Sequence, residues 1–100
     1  VQVQVSVPSK IDLAQNYPNP FNPTTMISFE LPEAQHVRLE IINIAGQTVK
    51  VLLDGPVSAG GHQVMWDATN RNGMPAPTGI YFYRMITETK VFTKKLLLEK

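Results

Sequence analysis

Residues 16–25 read Asn16, Tyr17, Pro18, Asn19, Pro20, Phe21, Asn22, Pro23, Thr24, Thr25. No other stretch restricts the chain so strongly. Proline fixes φ, lacks an amide donor and drives the residue before it into extended conformations. Three prolines at this spacing forbid a helix and a central strand. The segment is a stiff, polyproline-like or turn-rich entry, with Tyr17 and Phe21 available to pin it onto a core. Directly after it, Ile27, Phe29 and Leu31 alternate with Ser28 and Glu30, the period of a half-buried strand, and Pro32 ends the run.

The same alternation recurs along the chain. Val1, Val3, Val5 and Val7 alternate with Gln2, Gln4 and Ser6 until Pro8. Val37, Leu39 and Ile41 alternate with Arg38 and Glu40, so Glu40, like Glu30, is expected to point outward. Ile42 and Ile44 then fall on the opposite parity. A one-residue slip exchanges the two faces, so either a bulge lies near Ile42 and Asn43 or that end is buried on both sides. Ala45, Gly46 and Gln47 mark a turn before a strand over residues 48–53. Asp54, Gly55 and Pro56 read as a loop, as do residues 58–61. A short strand over 62–66 leads into a long polar loop, 67–78. Residues 79–87 carry apolar side chains on both parities and predict a central strand covered on both faces. A short hairpin connection, 88–90, precedes a last strand over 91–98. Seven strand candidates with turns about every 8–12 residues have the rhythm of a sandwich. The predicted fold class is all-β, one antiparallel β-sandwich whose inner faces form the core.

One hundred residues make one domain. Charged residues are 17% of the chain, below the roughly 25% of an average soluble domain, and the balance is Ser, Thr, Asn and Gln, a composition common in extracellular β domains. A net charge of +1 argues against a nucleic-acid partner held by phosphate neutralisation. No apolar run approaches the roughly 20 residues of a membrane-spanning helix. Without cysteine there is no disulfide framework and no thiolate metal site. The start at Val1 has neither the basic end nor the apolar core of a signal peptide and reads as a piece of something longer.

Enzyme readings fail in turn. His36, expected in a loop, and His62, at a strand start, are in no ligand spacing. The carboxylates Asp12, Glu30, Glu33, Glu40, Asp54, Asp67, Glu88 and Glu99 offer no pair that stands out as acid and nucleophile. Ser58 lacks a G-x-S-x-G context, and no glycine loop opens a helix to cradle phosphate. Residues 67–73 touch a calcium-loop pattern, but Ala68 and Arg71 stand where acids are needed. Asp67 is better read as a brace of that loop, with Asn72 and Gly73 supplying positive φ. Trp66, with Tyr81 and Tyr83, allows either a sugar-stacking platform or a filled core, and the size of these rings favours the core. Lys94 and Lys95 interrupt the last apolar strand. They either guard an edge against aggregation or label it for a partner, and both readings stand. No catalytic activity, cofactor or metal is expected.

Four blocks, in order, resemble the type IX secretion (Por) C-terminal sorting domains of type A. They are Tyr17, Pro18, Asn19, Pro20, Phe21, Asn22 and Pro23; residues 37–41 with 45–49; Trp66 and Asp67 with residues 77–84; and Lys94, Lys95 and Leu96. The pattern is also similar to the immunoglobulin-like domain of flagellar hook-capping proteins, but the terminal lysine block favours the secretion tail. The resemblance implies a seven-stranded antiparallel immunoglobulin-like sandwich over residues 11–100 with a non-catalytic role. It implies passage through the periplasm, recognition by the outer-membrane type IX machinery, and a sortase that removes the tail and leaves an upstream cargo domain at the cell surface. By the same resemblance Gly79, Tyr81, Lys94, Lys95 and Leu96 serve translocon recognition. Residues 17–23, with Trp66 and Asp67, form the structural motif. Residues 1–10 would be a linker or an extra N-terminal strand. That strand would belong to the preceding cargo, begin this domain, or pair with a neighbouring copy. The alternatives are an extracellular subunit that assembles into a filament by strand addition and a carbohydrate-binding accessory module.

Overall fold

The computed structural model describes residues 10–21 and 23–99. The alternating run of residues 1–7 and Asn22 of the proline motif lie outside the described residues. Seven strands form: β1 Asp12–Leu13, β2 Thr25–Leu31, β3 Gln35–Ile42, β4 Thr48–Val57, β5 Gly60–Trp66, β6 Gly79–Ile86 and β7 Val91–Leu98. They build two antiparallel sheets, ordered β1-β2-β5 and β4-β3-β6-β7, and the described chain is an all-β, immunoglobulin-like sandwich.

Alternation decides what faces inward. β2 turns in Ile27, Phe29 and Leu31; β3 turns in Val37, Leu39 and Ile41; β6 turns in Tyr81, Tyr83 and Met85; β7 turns in Leu96 and Leu98. All are buried, and the register aligns them: Leu39 faces Met85, Ile41 faces Tyr83, and Tyr81 faces Leu96. Each such aliphatic or aromatic side chain contributes about 1.5–3 kcal/mol by leaving water. Trp66 lies between Phe21 and Tyr81, with both ring centroids 5.5 Å away, so it fills the core and offers no sugar platform. Its indole N–H donates to the Thr69 carbonyl at 2.9 Å.

Several expectations need correction. The first described strand is the two-residue β1, a stretch with no clear alternation. β4 runs through Asp54, Gly55 and Pro56 to Val57 where a loop was expected. β4 is an edge strand, and an edge tolerates proline because one side of its backbone needs no ladder donor. β5 likewise takes in Gly60 and Gly61. His36 sits in β3, not in a loop, and faces Pro56. The parity slip has both anticipated causes. Irregularities fall between Leu39 and Glu40 and between Ile41 and Ile42, slightly earlier than expected, and residues 39–42 are all buried. Ile44 falls beyond β3 and is exposed. β6 is central, but only its inner face is buried; Phe82 and Ile86 on the outer face are half-buried and Ile80 is exposed.

Glu40 departs most from the simple pattern. It does face outward, yet it is only 2% exposed. Arg84 approaches it at 2.7 Å, Arg38 at 3.2 Å, and the Thr48 hydroxyl donates at 3.2 Å, so neighbours on three strands roof the carboxylate over.

Candidate recognition surface

The proline segment and β7 come together into one structure. Pro18, Asn19 and Pro20 are exposed, and the Tyr17–Pro18 and Asn19–Pro20 peptide bonds are cis. Phe21 is buried against Trp66, as a pin should be. Tyr17 is not a pin: its backbone pairs with Met26 while its ring is 80% exposed. The second anchor is Asn16, which is buried. Its amide nitrogen Nδ2 donates to the Pro18 carbonyl and the Thr25 hydroxyl, and its backbone N–H donates to the Tyr83 hydroxyl. Tyr83 in turn donates to the Ala14 carbonyl at 2.6 Å. Burial pushes the Tyr83 phenol up to about 12, with the bond from Asn16 pulling the other way. Nothing in the pattern singled out Asn16, although a polar residue directly before a proline-locked run is a natural place for such a brace.

The segment then runs along the outer edge of β7. The Gln15 side-chain amide donates to the Lys95 carbonyl at 2.8 Å, and the Leu97 N–H donates to Asn19 Oδ1 at 2.9 Å. Phe21 completes the clasp by donating its N–H to the Leu97 carbonyl and accepting from the Glu99 N–H, both at 3.1 Å. Residues separated by almost the whole described chain thus fix one another.

The five residues expected to serve recognition are adjacent in space but unequal in access. Lys95 is exposed and Lys94 half-buried, both on edge strand β7. Leu96 and Tyr81, cross-strand neighbours, have their side chains in the core. Gly79 opens β6 opposite Leu98 at φ 153°, a conformation that disfavours any side chain. Tyr81 donates its hydroxyl to the Pro77 carbonyl, which ties β6 to the 67–78 loop. Asp67 braces that loop, accepting from the Thr69 hydroxyl and N–H, and these bonds, led by the hydroxyl, hold its carboxyl below the ordinary value. Gly73 supplies positive φ as expected; the second such residue is Ala68, not Asn72.

Beside Gly79 lies a groove of about 710 Å3 between the β3–β4 turn, the 67–78 loop and the start of β6, lined by Ile44, Val49, Arg71 and Ile80 among others. No group of three or more His, Cys, Asp or Glu gathers to hold a metal among the described residues. Chemically the surface offers cations, a strand edge and a shallow apolar groove, which suits it to binding.

The FlgD Ig-like domain family model matches residues 15–90. The chain belongs to that family. The match spans β2 to β6 and stops just before β7. No curated protein matches the chain. Among solved structures, dimeric latent PorU from Porphyromonas gingivalis is similar with a TM-score of 0.72 at 20% identity, over 96% of this chain and 10% of that one. FlgD from P. aeruginosa is similar with a TM-score of 0.58 at 25% identity, over 74% of this chain and 60% of that one. PorZ of P. gingivalis, described as an essential bacterial surface component of the type IX secretion system, is similar with a TM-score of 0.60 at 15% identity, over 90% of this chain and 11% of that one. The chain therefore spans only a small part of PorU and PorZ, and at these identities the likeness to them is one of fold. No helix among the described residues is long and apolar enough to cross a membrane.

Proposed function

We propose that this FlgD Ig-like domain is a non-catalytic sorting module. It directs an exported cargo protein through the type IX secretion system to the cell surface. One observation carries the reading: the proline block and the terminal lysine block, the two ends of the sorting-domain resemblance, meet in space. Residues 15–21 bond to the edge of β7, and Lys94 and Lys95 sit on that same strand. A clasp that fixes a cationic strand at the surface is what a readable label needs. The fold shared with PorU and PorZ supports the same reading.

The test is a fusion of residues 11–100 to a periplasmically exported reporter in a type IX-competent host. Deleting β7 would be uninformative, because Leu96 and Leu98 would leave the core with the lysines. Lys94→Ala with Lys95→Ala is the informative variant, since both side chains reach solvent. Surface display of the parent fusion and its loss in the double variant, with melting unchanged, supports the proposal. A parent fusion that stays in the periplasm overturns it.

A further inference from the structure

The outer edge of β7 has two unlike halves. The Thr87 N–H donates to the Lys90 carbonyl and closes the β6–β7 hairpin. Antiparallel alternation then turns the backbone groups of Phe92, Lys94, Leu96 and Leu98 toward β6, and those of Val91, Thr93, Lys95, Leu97 and Glu99 away from it. The clasp takes the lower half of this outward row: the Lys95 carbonyl, both groups of Leu97, and the Glu99 N–H. It goes no further. Among the described residues the outward groups of Val91 and Thr93 and the N–H of Lys95 have no partner.

This open half-edge is a template for one more strand. Its side chains say what kind. Val91 is 61% exposed and Phe92 half-buried, so one end presents apolar surface. Lys94 and Lys95 at the other end form no ion pair among the described residues. Two copies of this edge paired antiparallel about Thr93 would set Lys95 against Val91 and Lys94 against Phe92, which leaves all four lysines without a carboxylate and gives self-pairing no charge complementarity. A strand carrying carboxylates beside Lys94 and Lys95, and aliphatic residues beside Val91 and Phe92, complements it.

We propose that residues 91–95 accept an extended acidic–aliphatic segment of the receiving outer-membrane partner by strand addition; this rests on the sorting-module reading. Main-chain bonds from Thr93 and Lys95 supply the attachment, and the lysines select the acidic strand.

Proline at position 93 separates this from side-chain recognition. The Thr93 N–H points away from β6, so Thr93→Pro removes no ladder bond, while the ring blocks an incoming strand. In the reporter fusion, Thr93→Pro should lower surface display about tenfold or more while Thr93→Ala, which keeps the N–H, displays as the parent does. Equal display of Thr93→Pro and the parent overturns the inference, as does an equal loss in Thr93→Ala. A second measurement does not depend on the proline variant folding or on the host. A synthetic peptide containing Glu-Glu-Thr-Val-Val, which run antiparallel sets its glutamates beside Lys95 and Lys94 and its valines beside Phe92 and Val91, should shift the amide resonances of Val91, Thr93 and Lys95 in the purified domain, and the same peptide with lysine in place of glutamate should not. Absence of that shift at millimolar peptide overturns strand addition. Failure of the parent fusion to reach the surface, with the shift present, overturns the sorting reading instead.

Discussion

Glu40 and Arg84 are cross-strand neighbours on β3 and β6 whose side chains meet at 2.7 Å on the outer face, where the carboxylate is almost fully covered. Burial alone would raise the Glu40 pKa. Hydrogen bonds from Arg84 and Arg38, the charge of Arg84 and the Thr48 hydroxyl together outweigh it, and the group titrates below its ordinary 4.5. A depressed folded-state value stabilises the fold above the ordinary value, and that stability is lost as pH falls through the depressed one. Glu40→Gln should therefore cost about 1–3 kcal/mol at neutral pH, the usual penalty for breaking a buried charged hydrogen bond. The difference from the parent should shrink below about pH 4.5 as the parent protonates. Urea midpoints of the two proteins from neutral to acid pH check this. A difference that persists at the acid end would count against it.

Tyr83 supplies the opposite limb. Its phenol is raised from 10.0 to about 12, chiefly by burial, so the fold favours the protonated form. The associated stability is complete below pH 10 and lost as pH rises through the folded value. Tyr83→Phe should melt lower at neutral pH, because the Asn16 N–H and Ala14 carbonyl both lose their partner, at a cost of about 1–3 kcal/mol. Between about pH 10 and 12 the parent should lose stability faster than the variant, and denaturation curves across that range measure it.

Legibility in the sequence followed the range of the physics involved. β2 and β3 were readable because alternation is a local property of seven or eight residues, and β6 and β7 because a short apolar run bounded by turn residues is equally local. β1 was not, since two residues carry no period. The extent of β4 was hidden because Pro56 reads as a terminator unless the strand is known to be an edge. The Glu40 cover needs Arg84, 44 positions away, and cross-strand register is a pairwise property that no single segment contains. In the candidate surface, the stiffness of the proline segment and the two adjacent lysines on the last strand were visible in composition. That Phe21 is the pin, Tyr17 the exposed ring and Asn16 the brace depends on side-chain direction at a turn, which composition does not set.

Trp66, the sole tryptophan, reports on these questions directly. Fully buried between Phe21 and Tyr81, it should emit at short wavelength and resist acrylamide quenching in the native domain. Trp66→Ala should cost about 3–5 kcal/mol, a large part of the 5–15 kcal/mol that holds a domain folded. A lower melting temperature by circular dichroism is thus the expected outcome. Loss of polysaccharide binding in this variant, taken alone, would report unfolding and not a lost sugar contact.

Asn19 gives the sharpest test of the clasp. Its Oδ1 is the acceptor for the outward Leu97 N–H, whereas the neighbouring Leu98 N–H belongs to the ladder with β6 opposite Gly79. Asn19→Ala leaves the core untouched, because the side chain is exposed. One hydrogen bond near 1 kcal/mol is removed, so hydrogen exchange at the Leu97 amide should speed up by about five- to tenfold. The Leu98 amide should exchange at the parent rate, and the melting temperature should fall by no more than about 4–8 °C. Equal acceleration at both amides would mean that the proline segment supports the whole of β7 and not its outer edge alone.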